Sequence, residues 1–266
     1  LYVTLEPCNH HGKTPPCTSI IKSGQIKRVV IGSSDPNSDI QNGIAALQDK
    51  GIDVEVGVNE DRARSINPRF FTYHEKKRPY IILKYAATLD GFLAEPDGKS
   101  KWITSSRSRG SVHLLRSTCD AILVGRRTVE KDDPSLTSHG IGKDPTKVIL
   151  DPSKKITKDY SALDKHTIHF SSELRSNSPI ENIDIVLNKL YQMNIQSLLV
   201  EGGAITISHF LESEMFDEIH AYYGPKLIGK GKTIFNGEKG ISELLNLSIV
   251  DTEIFDNDIK ITYKRD

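Results

Sequence analysis

Three cysteines in 266 residues are too few for a disulfide framework. No apolar run reaches membrane-spanning length, and no stretch of these residues has the pattern of a secretory signal. These absences point to a reducing cytoplasm. Neither sign of charge is in excess, because 35 Lys and Arg meet 35 Asp and Glu. With no long basic run, that balance argues against nucleic acid or a membrane surface as partner and leaves small-molecule chemistry. An initial methionine is also missing. The chain opens at Leu1, directly in the strand-like 1–5, and the expectation is a fragment whose preceding half-domain lies upstream. What is present is 37% hydrophobic and 26% charged, the composition of a globular protein of one or two domains.

The organising stretch runs from Arg78 to Gly91 and continues through Lys99 to Thr104. Its β-branched and aromatic residues 80–83 predict a buried strand that delivers Lys84 just before Ala86 and Ala87. Small side chains there let a flat group lie close to the backbone. Asp90-Gly91 signals a turn, and the loop over 98–102 returns a hydroxyl, Ser100, and an indole, Trp102, toward the strand end. Together they make a nucleotide-sized shelf; a plain core strand followed by a hairpin is the alternative.

Upstream, strands are predicted over 1–5, 28–31 and 52–56, and helices over 18–23, 42–50 and 67–73. Asp35-Pro36-Asn37 reads as turn chemistry. The charged 74–78 and Pro79 read as a linker, dividing the chain into 1–76 and 77–266. Within the first part, Cys8 and Cys17 each follow a proline, one near a strand end and one at a helix start. Thiolates suit zinc, and the positive start of a helix favours the deprotonated form. A catalytic zinc usually takes three protein ligands, and this stretch supplies only two with certainty. His10 and His11 read as solvent-facing loop residues in preference to ligands.

The segment Thr4 to Cys17 resembles the downstream half of the zinc site of cytidine-deaminase-like enzymes, with the longer cysteine spacing of the bifunctional riboflavin-biosynthesis deaminase/reductase family. The resemblance implies that Cys8 and Cys17 are zinc ligands in the intact enzyme. The third ligand and the proton-shuttling Glu belong to an upstream His-x-Glu motif absent from these residues. The expectation is therefore a remnant of an α/β/α deaminase domain with no deaminase turnover of its own.

The second part is also α/β in rhythm. Strands are predicted over 121–124, 147–150, 167–170, 197–200, 217–223, 247–254 and 258–263, with helices over 105–116, 185–193 and 204–211. Ser105 or Ser106 is the candidate N-cap of the first helix, and Arg116 reads as a cation at its C-terminus. Cys119 reads as core packing. Residues 128–132 predict a turn beyond a strand end, where α/β sheets bind ligands. Glu201-Gly202-Gly203 leads a buried strand into a helix and exposes N–H groups suited to a pyrophosphate. Ser153, Lys154 and Lys155 are suited to a ribose phosphate, or form a solvated basic turn.

Taken in order, Lys84 to Gly91, Ser100 to Ser105, Thr128 with Asp132-Asp133-Pro134, Leu136-Thr137 and Glu201-Gly202-Gly203 resemble the reductase half of the same family, whose fold is similar to dihydrofolate reductase. The resemblance implies NADPH as cofactor and a phosphorylated ribosylaminopyrimidine as substrate. It implies cofactor contacts at Ala86, Trp102, Thr128, Asp132, Ser153, Gly203, Ala204, Ile205, Thr206 and Ile207. Substrate contacts fall at Ser100, Arg116, Leu136, His139 and Glu201, and the turn 224–229 is scaffold. The family's habit makes a homo-oligomer an expectation.

Two departures stand out. His139 occupies the position of a phosphate-reading arginine, and imidazole is a weaker phosphate ligand than guanidinium, which leaves Lys143 or Arg116 to compensate. At 151–153 the family's hydroxyl is displaced by one residue, to Ser153. Lys84 and Glu201, at adjacent predicted strand ends, are the candidate catalytic pair, moving a proton or holding the sugar hydroxyls, with a structural ion pair as the alternative. The expected reaction is NADPH-dependent reduction of 5-amino-6-(5-phosphoribosylamino)uracil to its ribitylamino product, with the parent also deaminating the precursor. Competing readings are a reductase of another pterin or pyrimidine, a zinc deaminase proper, and a non-catalytic nucleotide-binding remnant.

Overall fold

A computed structural model of the chain describes residues 1–37, 42–174, 178–235 and 245–265. It divides into two compact units, Leu1–Arg78 and Pro79–Asp266.

In the first unit, β1 (Tyr2–Leu5), β2 (Arg28–Ser33) and β3 (Asp53–Val56) form a parallel sheet in that order. Helices α1 (Cys17–Ile20), α2 (Gly43–Gln48), α3 (Glu60–Ile66) and α4 (Pro68–Lys76) connect and follow the strands. Val29, Ile31, Leu47 and Ile52 bury the apolar face shared by sheet and α2. The α/β expectation holds. Helix α3 was not legible, because a charged Glu-Asp-Arg start and one buried residue, Ala63, leave little apolar pattern. The expected helix over 18–23 shrinks to one turn, and part of the helix expected over 42–50 falls at residue 42, a left-handed N-cap.

The second unit is built on eight strands: β4 (Tyr80–Thr88), β6 (Ala121–Gly125), β7 (Thr146–Leu150), β8 (Ile168–Phe170), β9 (Ser197–Val200), β10 (Glu218–Gly224), β12 (Leu247–Phe255) and β13 (Asp258–Arg265). They form one sheet of order β12-β13-β10-β4-β9-β6-β7-β8. The six strands from β10 to β8 run parallel, and β13 and β12 add an antiparallel edge. Parallel strands covered on both faces need apolar side chains on both. Accordingly, Ile81 and Leu83 of β4 enter one core with α7 (Pro179–Gln192) and α8 (Ala204–Glu212), while Tyr80 and Ile82 enter a second core on the other face. A short ribbon pairs β5 (Phe92–Ala94) with β11 (Lys232–Thr233).

Two local expectations are corrected. Residues 126–132 form helix α6 (Arg126–Asp132) where a turn was expected, because fully buried Val129 anchors the segment under the sheet and Asp133, at φ +40°, stops it. Helix α7 begins at Pro179, six residues before the expected start, since proline is tolerated in a first helical turn. The turn expected at Asp90-Gly91 is present, with the Gly91 N–H on the Thr88 carbonyl at 2.9 Å, and the strand after it pairs with β11 in place of the alternative hairpin. Asp90 accepts the N–H groups of Ile228 (3.0 Å) and Gly229 (2.7 Å) and ties the 224–229 turn in place.

Candidate functional site

Side-chain parity builds the centre of the site. On β4 the residues facing the second core are Tyr80, Ile82 and then Lys84; on β9 they are Leu199 and then Glu201. The two strands are paired with Leu83 opposite Val200, so the next step in register sets Lys84 beside Glu201 where both strands leave the core. Helix α5 (Ser106–Ser117) lies over this face and supplies Arg116. Its guanidinium meets Glu201 through two bonds, Nε to Oε1 at 2.8 Å and Nη2 to Oε2 at 2.9 Å, and donates a third to the Thr137 carbonyl at 3.1 Å. Arg116 is therefore not capping its own helix; that end is closed by the Thr118 and Cys119 N–H groups.

The side chains of this ion pair are 12% and 9% exposed. Burial alone would raise the Glu201 carboxyl, but the hydrogen bonds and charge of Arg116, with Lys84 and His113 beyond, hold it below the ordinary carboxylate range. Burial pushes the Lys84 ammonium below the usual lysine value; Glu201 opposes the shift and Arg116 adds to it. Lys84 Nζ also stands 5.5 Å from the ring centroid of Tyr222, a buried side chain whose hydroxyl shares a 2.8 Å hydrogen bond with Ser111. Burial pushes that phenol up to about 12. The arrangement is a lysine with a weakened hold on its proton beside a carboxylate fixed in its ionised form.

Lys84 and Glu201 open into a cavity of about 630 Å³ at the carboxyl ends of the strands, the usual ligand position in α/β sheets. Twelve of the residues singled out from sequence line it: Lys84, Ala86, Ser100, Trp102, Thr128, Asp132, Ser153, Glu201, Gly203, Ala204, Ile205 and Thr206. Glycine is needed where α8 begins, since a side chain on Gly202 would run into Thr206. The Gly203 N–H is donated to Thr128 Oγ1 at 3.1 Å, joining the starts of α8 and α6. Trp102 is exposed, and one face of its indole carries the Arg109 guanidinium at 4.3 Å.

Four expected residues lie elsewhere. Ile207 is buried in the core beneath α8, and Leu136, at φ +56°, in the second core. Arg116 stands behind Glu201. His139 packs its ring on His113, with centroids 4.1 Å apart. His113, absent from the sequence reading, is lowered by burial first and then by Arg116 and His139, and its Nδ1 has no hydrogen-bond partner. Its position, one turn from Arg109 and three residues before Arg116 on one helix face, was the available signal. Cavity-lining Arg109, Arg126 and Lys131 were also missed. Cys119 is buried, in the core role expected of it.

In the first unit, the Cys17 N–H points at Cys8 Sγ across 3.3 Å, so the loop does bring the two cysteines together. The helix start does not ease ionisation of Cys17. Its thiol is raised, through its hydrogen bond to Cys8 first and then burial. His10 and His11 are exposed. Among the described residues no group of three or more His, Cys, Asp or Glu is placed to hold a metal ion.

The residues present fit a polyanionic dinucleotide. Gly202 and Gly203 clear the entrance to α8, and the cavity wall carries Arg127, Lys131 and Lys232. They do not by themselves fit a zinc site, which needs more than two thiolates. Among the described residues no helix is long and apolar enough to cross a membrane.

Residues 79–261 match the family model of the RibD C-terminal domain. The riboflavin biosynthesis protein RibD of Aquifex aeolicus is 42% identical over a 288-residue alignment covering 100% of this chain and 80% of that protein. A solved diaminohydroxyphosphoribosylaminopyrimidine deaminase/5-amino-6-(5-phosphoribosylamino)uracil reductase from Thermotoga maritima superposes with a TM-score of 0.87 at 37% identity, covering 100% of this chain and 79% of the other. Acinetobacter baumannii RibD gives 0.85 at 31% identity, covering 100% and 80%. With that family model over most of its length and such relatives along all of it, the chain belongs to the RibD family of riboflavin biosynthesis proteins.

Proposed function

We propose that this chain is the NADPH-dependent reductase that converts the ribosyl group of 5-amino-6-(5-phosphoribosylamino)uracil to ribityl. The observation that carries the reading is the pair Lys84 and Glu201 in the cavity wall, with Arg116 behind Glu201 holding its carboxylate. When bound, NADPH supplies the hydride received at C1′ of the ring-opened sugar. Residues positioned to hold it are Thr128 and Asp132 of α6, Gly203 to Thr206 at the start of α8, and Ser153 after β7.

The chain's own contribution is proton placement and orientation. Lys84, whose hold on its proton is weakened by burial, is the group placed to give a proton to the sugar ring oxygen or the imine nitrogen. Glu201, held ionised by Arg116, accepts sugar hydroxyls and stabilises the charged lysine before transfer. Arg116 is a positioning residue that fixes the carboxylate. Cys8 and Cys17 are the candidate zinc thiolates of a deaminase site; since these residues do not complete such a site, no deamination step is assigned to them.

The test is NADPH oxidation followed by absorbance, with the deaminated ribosylaminouracil phosphate compared with its diamino precursor and a panel of pterins. Oxidation with the uracil, abolished by Lys84→Ala and by Glu201→Ala, is the expected result. Tight NADPH binding without turnover of the uracil, or turnover that survives both substitutions, would overturn the reading.

A further inference from the structure

The cavity is far more positive than the chain around it. Its wall carries Lys84, Arg109, Arg126, Arg127, Lys131 and Lys232 against only Asp132 and Glu201, although the charges of the whole chain cancel. Several of these are locally compensated: Arg126 by Glu130 at 2.5 Å and Asp151 at 3.5 Å, and Lys84 by Glu201. Lys131 and Lys232 have no carboxylate ion-pair partner among the described residues. The acid closest in sequence to their meeting point, Asp97, is engaged by Lys99 at 3.2 Å; Lys131 Nζ bonds the Asp97 main-chain carbonyl, at 3.0 Å, and its charge acts on the Asp97 carboxylate less than that of Lys99 does.

These two lysines converge. Residues 95–99 form a closed turn, with the Gly98 N–H on the Glu95 carbonyl, the Glu95 N–H on the Lys99 carbonyl, and Asp97 Oδ1 accepting the Lys99 N–H. Gly98 sits at φ +90°, and the space a side chain would fill there is taken by the ammonium groups of both Lys131 and Lys232. One arrives from the last turn of α6, next to Asp132, and the other from β11 through its pairing with β5. Two separate elements thus deliver two like charges to one point on the wall, beside the turn over 95–99. Like charges held close repel, and the repulsion turns into attraction when an anion lies between them.

We propose that Lys131 and Lys232 form a two-ammonium seat for a phosphoryl group of a ligand in the cavity, the turn over 95–99 closing against that group. This rests on the function proposed above only for which ligand brings the phosphoryl group. The sources to be separated are the cofactor diphosphate, the cofactor 2′-phosphate and the ribosyl phosphate of the substrate.

The experiment uses Lys131→Gln, Lys232→Gln and the double variant in the full chain, with thermal melting to check folding. Trp102, the single tryptophan, lines the same cavity and reports binding by fluorescence without turnover. NADPH, NADH, the phosphorylated substrate and its dephosphorylated form are titrated at two salt concentrations. The double variant is expected to weaken at least one of them about tenfold and to flatten its salt dependence, and Lys131→Arg is expected to restore most of the loss. Equal weakening of NADPH and NADH assigns the diphosphate; weakening of NADPH alone assigns the 2′-phosphate. Weakening of the phosphorylated substrate alone assigns the ribosyl phosphate. If all four dissociation constants stay within twofold of the parent, the proposal is overturned. Weakened binding in a chain that never reduces the uracil would leave this seat standing while removing the function proposed above.

Discussion

The Cys8–Cys17 loop of the first unit and the Lys84–Glu201–Arg116 cluster of the second both bring chemically active groups together from separate positions in the chain. They differ in what surrounds them. Cys17 is exposed and its thiol is raised, chiefly by its neighbour Cys8. In the second cluster the charges are largely withdrawn from solvent, and Glu201 accepts two bonds from one guanidinium. Proximity makes a contact, whereas a fixed charge state needs burial together with a partner of opposite sign.

The sharpest way to break this comparison is to remove one buried charge. Glu201→Ala leaves Arg116 and Lys84 buried without a counter-ion, and is expected to cost about 3–5 kcal/mol of stability and to abolish NADPH oxidation, read by thermal melting and steady-state rates. Glu201→Gln separates the two effects by keeping the shape. If either variant melted like the parent, the cluster would not be the compensated unit described.

The next largest effect concerns pH. Because burial lowers the folded-state pKa of Lys84, its protonation penalises the folded chain at neutral pH, and the penalty is relieved as pH rises toward the ordinary value of 10.5. Lys84→Met should therefore melt higher than the parent at neutral pH and lose that advantage in alkali. The parent's reductase rate should fall with pH earlier than an ordinary lysine would dictate. Glu201 and Asp258 have depressed pKa values, so the stability they provide is complete above their unfolded values, 4.5 and 3.8, and is lost as pH falls through the lower folded ones. An acid melting series on Asp258→Asn would show a shallower decline.

A smaller loss is expected from Asp258→Ala. This carboxylate accepts the Ser105 N–H and the Ser108 hydroxyl, both at 2.6 Å, and pins the start of the helix that carries Arg116. About 1–2 kcal/mol of stability should go, with a rise in KM larger than the fall in kcat. Least of all, Cys119→Ser, a buried thiol in the second core, should lower melting by about 1 kcal/mol equivalent and leave the rate near the parent's. A large rate loss would move Cys119 from packing to chemistry.

Much of this site was legible before any coordinates. The apolar run ending at Lys84 and the Glu-Gly-Gly after a buried strand mark a strand end and a helix start by local sequence pattern, whereas Thr128 and Asp132 are placed by resemblance and lie in helix α6, where a turn was expected. Less legible were the contributions of α5. Arg116 reads equally well as a helix-end cation, and its pairing with Glu201 joins positions 85 residues apart. His113 carries no motif, and Leu136 and Ile207 look like ligand contacts by position but are claimed by the two cores.

Sequence by itself determined the alternation of apolar strands with helices and the turns at glycine and proline, because these follow from side-chain period and backbone preference within a few residues. Tertiary structure alone decided which charges are paired, which are desolvated and which converge on one cavity. Those properties depend on strand register and helix placement across the sheet, and burial then sets the charge state that the residue types leave open.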